Sequence, residues 1–214
     1  MGDESAVAAL RRFAKPAPVE ERCEFCDAII APAHRHLLEL ANRRIICACD
    51  ACALLFQNVS EGHYKLVPRD ARQLLDFKMS EALWDDFALP INLTFFYRDT
   101  VAGKVVAMYP SPAGATESLL PQSNWAELER NNPALTRMAY DVEALLVNRV
   151  GAAREYFIAP IDVCYELVGL IRKNWRGFTG GETVWREIDS FFEKLRANSV
   201  QPAPQQVEVP RARP

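Results

Sequence analysis

Residues 23 to 56 contain five of the six cysteines of this 214-residue chain and two of its three histidines. Four of these cysteines form two Cys-x-x-Cys pairs, Cys23 with Cys26 and Cys49 with Cys52. Thiolate sulfurs are ligands that zinc prefers, and a tight turn with this spacing points both sulfurs towards one ion. The two pairs therefore predict a tetrahedral metal site made of four cysteines.

The spacing between the pairs predicts how the chain brings them together. The 22 residues between Cys26 and Cys49 are enough for an outgoing strand, a turn and a returning strand. The segments "AIIAPAHRHLLEL" and "RRIICAC" are typical of such strands, joined across Ala41 and Asn42. This is the layout of a zinc ribbon, and zinc is the favoured ion. Iron remains the alternative, as in rubredoxin or an iron–sulfur cluster.

Further ligand-type residues lie nearby. In an extended strand Cys47 shares a face with Cys49, which places Cys47 near the metal but outside the ligand set. His34 and His36 also share a strand face, and we interpret them as polar strand positions or as supports for the ligands. The spacing leaves open whether any of these three residues enters the metal site. Cys164 lies on the apolar face of a predicted helix and is interpreted as a core residue.

The composition excludes some classes of protein. A formal net charge of -3 argues against a protein that coats nucleic acid, because phosphate binding calls for a basic surface. No apolar run reaches the ~18 residues needed to cross a bilayer, and the first twenty residues lack the apolar stretch of a signal peptide. We therefore expect a cytoplasmic protein, in which clustered cysteines persist as metal thiolates more often than as disulfides.

The rest of the chain predicts an α+β fold that follows the metal module. "INLTFFYRDTVAGKVVAMYP" is a hairpin pattern that turns at Ala102 and Gly103 and should form the centre of a sheet. "VEALLVN" and "EYFIAP" predict further strands. "DVCYELVGLIRKNW" and "ETVWREIDSFFEKLRAN" have apolar stripes at helical spacing and should pack as an antiparallel pair. The expected divisions are an arm and linker (1–22), a zinc-ribbon-like module (23–60), an α+β domain (61–197) and a disordered proline-rich tail (198–214).

Shorter helices are predicted between these elements. "ARQLLDF" and "SEALWDDF" look helical, with Ser80 as the N-cap of the second. Asn124 followed by Glu127 matches a capping box at the start of another helix. The segments 109–121 and 176–181 are rich in small residues, and we interpret both as structural loops, with an anion-binding site as the alternative.

Catalysis finds little support in the sequence. The histidines are His34, His36 and His63, all within or beside the metal module. A Ser-His-Asp or Cys-His arrangement inside the larger domain is therefore not available. We expect a protein that is not an enzyme.

The stretches "CEFC" with "CACDAC", "YPSPAGATESLL", "CYELVGLIRKNWRGFTGG" and "VWREIDSFF" together cover most of residues 23 to 195. In these stretches the chain resembles a bacterial family of uncharacterised proteins, a domain of unknown function. Members of that family are commonly encoded beside uptake nickel–iron hydrogenase subunits and their accessory proteins. The resemblance implies a context without a catalytic role, such as assembly or maturation of the hydrogenase, bridging of its subunits, or electron transfer if the metal is iron.

The residues are compatible with three hypotheses about the function of the protein. The first is an accessory or adaptor protein, in which zinc shapes a docking module and the α+β domain carries a surface for a protein partner. The second is a rubredoxin-like electron carrier with iron at the same cysteines. The third is a nucleic-acid-binding regulator that would use Arg35, Arg43 and Arg44, although nearby acidic residues balance their charge.

Overall fold

The computed structural model describes residues 20–59, 62–177 and 179–200. Most of the predicted arm (1–22) and of the predicted disordered tail (198–214) lies outside these residues. Within the described ranges, no helix combines the length and the apolar character needed to span a membrane.

The cysteine-rich segment forms a small antiparallel sheet followed by a helix. Its strands are β1 (Arg35–Glu39), β2 (Arg44–Ala48) and β3 (Tyr64–Leu66), in the spatial order β2-β1-β3. The hairpin of β1 and β2 confirms the two predicted strands, and its register pairs His36 with Cys47. Helix α1 (Asp50–Val59) begins inside the second cysteine pair and was not predicted. The module therefore consists of a turn, a hairpin and a helix.

A larger antiparallel sheet of six strands forms the rest of the framework. Its strands are β4 (Arg72–Gln73), β5 (Leu93–Asp99), β6 (Lys104–Ser111), β7 (Gly114–Ser118), β8 (Glu143–Asn148) and β9 (Glu155–Pro160). The order is β4-β9-β8-β5-β6-β7, so the predicted hairpin of β5 and β6 lies near the middle of the sheet. Every residue of β5 and β8 is buried, as expected for central strands that are covered on both faces.

Helices cover both faces of this sheet. They are α2 (Glu81–Asp86), α3 (Gln122–Asn131), α4 (Ile161–Asn174) and α5 (Gly181–Asn198), with a 3₁₀ turn at Pro133–Arg137. Because strand side chains alternate between faces, Phe95 packs with α4 and α5, whereas Phe96 packs with α2, α3 and the 3₁₀ turn. The α+β class with a C-terminal helix pair is confirmed.

Three local predictions were wrong. "ARQLLDF" contains the short strand β4, which pairs with β9, and is not a helix. The segment 109–121 is mostly the hairpin of β6 and β7. Helix α3 begins at Gln122 without a side-chain cap, and the Asn124 side chain instead donates to the Asp86 carbonyl oxygen at 3.0 Å. In the first and third cases a contact with a distant part of the chain outweighs the local pattern, whereas the hairpin of β6 and β7 is a local pairing.

The small sheet is joined to the large one by shared core residues and by ion pairs. Leu38 and Val67 are buried in the same apolar cluster as residues of β5, β8 and α4. Arg43, in the turn between β1 and β2, lies 3.3 Å from the Asp99 carboxylate and 3.5 Å from that of Asp141. The metal module is therefore held in a fixed position on the sheet.

The described residues of segment 176–181, namely 176, 177 and 179–181, lie in a tight reversal between α4 and α5. The indole N–H of Trp175 donates to the Gly177 carbonyl oxygen at 2.9 Å, and that of Trp185 donates to the Thr179 carbonyl oxygen at 3.1 Å. Gly180 has a φ of +84°, and a Cβ there would lie 2.7 Å from a Val184 methyl carbon and 3.1 Å from the Trp175 ring. The glycine is required by both the backbone conformation and the close packing.

A matched pair of glycine substitutions tests this role. Gly180→Ala is expected to lower the free energy of unfolding by about 2 kcal/mol, because it adds left-handed strain to a steric clash. Gly169→Ala, at an exposed position inside α4 with open space around it, should instead raise that free energy by roughly 0.5 to 1 kcal/mol. Urea unfolding of both variants measures the difference, and equal effects would contradict the assignment.

Candidate metal centre

The first cysteine pair lies in a tight turn closed by backbone hydrogen bonds. The Cys23 N–H donates to the Ala28 carbonyl oxygen and the Asp27 N–H donates to the Cys23 carbonyl oxygen, both at 2.8 Å. Asp27, directly after the second cysteine, has a φ of 60°. Glycine is the usual residue in this conformation, but aspartate tolerates it, and the Arg22 guanidinium holds both the Asp27 carbonyl oxygen and its carboxylate.

The second pair lies where β2 leads into α1. Cys49 directly precedes the helix and Cys52 lies in its first turn. The Cys52 N–H points at the Cys49 sulfur at 3.5 Å. The first turn of a helix exposes N–H groups and the positive end of its dipole, which stabilise thiolates. The structure therefore builds the site from one turn and one helix start, where the sequence predicted two similar turns.

The four predicted ligands converge. The sulfurs of Cys23, Cys26, Cys49 and Cys52 all lie within 4.8 Å of one another. The sulfurs of Cys26 and Cys49 are 3.8 Å apart, which is too long for a disulfide. Two thiolates at about 2.3 Å from a tetrahedral zinc ion are about 3.8 Å apart. The arrangement fits a metal ion such as zinc.

The pKa shifts of the four-cysteine site are also consistent with a bound cation. Burial acts to raise the pKa of Cys23, but backbone hydrogen bonds from Cys49, Phe25 and Cys26 lower it to about 6. Burial and side-chain hydrogen bonds with the other three cysteines raise the pKa of Cys52 to about 12. Negative charges on neighbouring thiolates repel one another, and a divalent ion at the centre would compensate them.

His34, His36 and Cys47 form a second group beside the four cysteines. One ring nitrogen of each histidine and the Cys47 sulfur lie within 4.8 Å of one another. The pairing of His36 with Cys47 across β1 and β2 brings the sulfur to the histidine face, whereas the sequence placed Cys47 near the four-cysteine site. Cys164 is fully buried in the large core, as predicted.

Part of segment 109–121 lines a separate cavity, together with the two tryptophans that flank segment 176–181. It has a volume of about 460 Å³ and is lined mainly by apolar residues, including Tyr109, Pro112, Trp175 and Trp185. Trp185 is 40 % exposed. The cavity gives the α+β domain one surface on which an apolar group of another molecule could rest.

The basic residues of the hairpin are paired with carboxylates. Arg35 lies 3.2 Å from Asp50, and Arg44 lies 3.3 Å from Glu24. Arg43 turns inward, with its guanidinium 4.0 Å above the Tyr97 ring. These contacts reduce the positive charge that the hairpin presents to phosphate groups.

Comparison with known proteins gives one match. A family model described as "Family of unknown function (DUF5947)" matches residues 22–199, which include both cysteine pairs and the whole large sheet. No curated protein matches the chain, and no solved structure does. The site must therefore be interpreted from its own chemistry.

Proposed function

We propose a function from the metal centre itself, because the chain belongs to DUF5947, a family of unknown function. The protein is a non-catalytic, metal-binding accessory or adaptor protein. Its four-cysteine site holds a zinc ion that fixes the shape of the N-terminal module, and the α+β domain carries the surface for a protein partner. The convergence of the four sulfurs within 4.8 Å is the observation that supports it most.

A structural role for the ion follows from the small size of the module. Its own apolar core consists of few buried residues, namely Cys23, Ile30, Leu37, Ile46, Ala48 and Ala53. A core of this size contributes little folding free energy, so small modules commonly depend on a metal ion. An ion bound by all four cysteines would tie the first turn to the start of α1.

The partner that we propose is a subunit or maturation protein of a nickel–iron hydrogenase. This part of the proposal is supported by the sequence resemblance alone. The position of the module supports an adaptor more generally, since its ion pairs and shared core with the large sheet give a partner one rigid surface that spans both. We place the protein in the cytoplasm, where such an enzyme would be assembled.

A rubredoxin-like carrier is the rival that uses the same four ligands. The two proposals differ in the metal and in colour, because iron bound by thiolates absorbs visible light and zinc does not. A nucleic-acid-binding regulator is disfavoured by the paired arginines of the hairpin and by the net charge of -3.

Metal analysis of the native protein tests the proposal. Protein purified through an affinity tag from its own host, grown in iron-rich medium and dialysed against a weak chelator, should contain one zinc ion per chain, no iron and no visible absorption. If the protein instead contains one iron ion per chain and absorbs visible light, the structural role is wrong and electron transfer is the favoured function. Iron-rich medium is needed because zinc can replace iron during overexpression.

The same purification identifies the partner. Mass spectrometry of the co-purified proteins should find a hydrogenase subunit or maturation protein with wild type, and much less of it with Cys26→Ser, whose module would lose its shape. A His63→Ala variant, altered at an exposed position of the same module, is the matched control and should retain the partner. Recovery of nucleic acid in place of a protein would contradict the adaptor role.

A further inference from the structure

The residues His34, His36 and Cys47 carry an inference that goes beyond the proposed function. His34 is held from its Nδ1 side, where the Ala31 carbonyl oxygen is 2.9 Å away and the Glu21 carboxylate 3.3 Å away. Both of these groups can only accept a hydrogen bond. The proton of the neutral His34 ring therefore lies on Nδ1, and its Nε2 carries a lone pair.

His36 is held in the same way from the opposite side. Its Nδ1 lies 2.6 Å from the carboxylate of Asp162, at the start of α4 in the larger domain. The carboxylate accepts the Nδ1 proton, so Nε2 of the neutral His36 ring also carries a lone pair. A carboxylate in this position is the partner that commonly orients a metal-binding histidine.

The two Nε2 atoms face each other at 3.0 Å. Two lone pairs at this distance repel each other unless an additional proton or a metal ion lies between them. The Cys47 sulfur lies within 4.8 Å of one ring nitrogen of each histidine, which makes a set of three ligand residues. Two imidazole nitrogens on a tetrahedral zinc ion are about 3.3 Å apart, so a small opening of the pair would admit an ion.

We propose that His34, His36 and Cys47 form a second metal site, which takes a divalent late first-row transition ion such as Zn²⁺ or Co²⁺. Two imidazoles and one thiolate suit this class of ion and do not suit Mg²⁺ or Ca²⁺, which prefer oxygen ligands. Asp162 is a positioning residue for His36. The site is separate from the four-cysteine site, and the two are joined through Glu24, which bonds the Cys47 N–H through its carboxylate and the Cys47 carbonyl oxygen through its own N–H.

The second site lies beside a surface cavity, so an ion bound there could exchange with the solution. His36 and Asp162 line a surface cavity of about 310 Å³, together with Ile45, Val163, Tyr165 and Glu166. Three protein ligands leave one tetrahedral position, which water or a group from another molecule could fill from this cavity. The second site should therefore hold its ion less tightly than the four-cysteine site.

A nucleophilic Cys-His-Asp arrangement would use Cys47, His36 and Asp162, but the geometry disfavours it. The Nε2 atom of His36 that would activate the sulfur already faces the Nε2 atom of His34. A nucleophilic cysteine needs a free base beside its sulfur to take the thiol proton. A bound metal ion, by contrast, displaces the thiol proton directly.

Titration with Co²⁺ tests the second site in the full-length protein whose four-cysteine site is filled with zinc. One equivalent of Co²⁺ should bind, with the visible bands of four-coordinate cobalt and a thiolate-to-cobalt charge-transfer band. Cys47→Ser should abolish the charge-transfer band and weaken binding at least tenfold. Asp162→Asn should keep the band and weaken binding by about 10- to 100-fold, as expected for the loss of an orienting carboxylate.

The controls separate this site from the four cysteines. His63→Ala should bind Co²⁺ as wild type does, and zinc released into solution must stay below one tenth of an equivalent. A charge-transfer band that persists in Cys47→Ser, or that appears together with released zinc, would show that Co²⁺ enters the four-cysteine site and would overturn the proposal. An absence of Co²⁺ binding by correctly folded wild type would also overturn it, whereas the four-cysteine proposal is judged separately by retained zinc.

Discussion

Replacing Cys52 by serine is expected to remove the zinc ion and to unfold the N-terminal module while the large sheet persists. A serine hydroxyl is a poor ligand for zinc, and the remaining three thiols cannot complete the tetrahedral shell. Zinc binding in small modules is coupled to their folding, so the loss should cost about 4 kcal/mol or more and lower the thermal midpoint by roughly 10 °C. Zinc content and thermal unfolding of the same sample measure both effects.

Amide hydrogen exchange shows which strands unfold in Cys52→Ser. Amides of β1 and β2 should lose protection in Cys52→Ser, whereas those of β5 and β8 should keep it, because these central strands are buried on both faces. Cys164→Ala is the control, since it removes a buried thiol from α4 and leaves the four-cysteine site intact. This variant should lose some stability through the small cavity it creates and retain its zinc. Full zinc retention by Cys52→Ser would show that the ligand set is wrong.

The part of the site that the sequence predicted depends on local spacing. A Cys-x-x-Cys pair places two sulfurs together almost independently of the rest of the fold, and the intervening hairpin can be recognised from its β-branched and apolar residues. The strands β5, β6, β8 and β9 were predictable for a similar reason, because they are long, apolar and bounded by turn residues. When a long element has one clear hydrophobic period, its local preference is strong, and tertiary contacts seldom change its secondary structure.

The part that was missed depends on contacts between distant residues. Helix α1 carries a signal that was available, namely an acidic residue, Asp50, in the first turn of a run of good helix formers. The grouping of Cys47 with His36 follows from the register of β1 and β2, which a single strand pattern does not reveal. The pairing of His36 with Asp162 joins residues 126 positions apart, and no local rule predicts it.

The buried carboxylate of Asp141 is the centre of the polar contact between the metal module and the large sheet. It is fully buried and accepts hydrogen bonds from the Lys65 ammonium group, from the Thr100 backbone N–H at 2.9 Å and from the Thr100 hydroxyl at 2.7 Å. Burial acts to raise its pKa, but the Lys65 and Thr100 contacts lower it below the ordinary value. Asp141 is therefore ionised at neutral pH and compensates two cations of the module, Lys65 and Arg43.

Asp141→Asn is expected to lower the free energy of unfolding by about 3 kcal/mol, because it leaves Lys65 without its buried counter-charge and leaves Arg43 with Asp99 alone. Asparagine is the informative substitution, since it nearly preserves the volume and tolerates the φ of 70° at this position. Glu117→Gln is the matched control: its ion pair with Lys104 at 3.0 Å is about half exposed, and its loss should cost less than about 1 kcal/mol. Urea unfolding of zinc-loaded protein compares the two. Equal costs would show that the Asp141 network does not hold the module on the sheet, and that its position depends on the apolar contacts of Leu38 and Val67 and on the ion pairs of Arg43 with Asp99 and of His36 with Asp162.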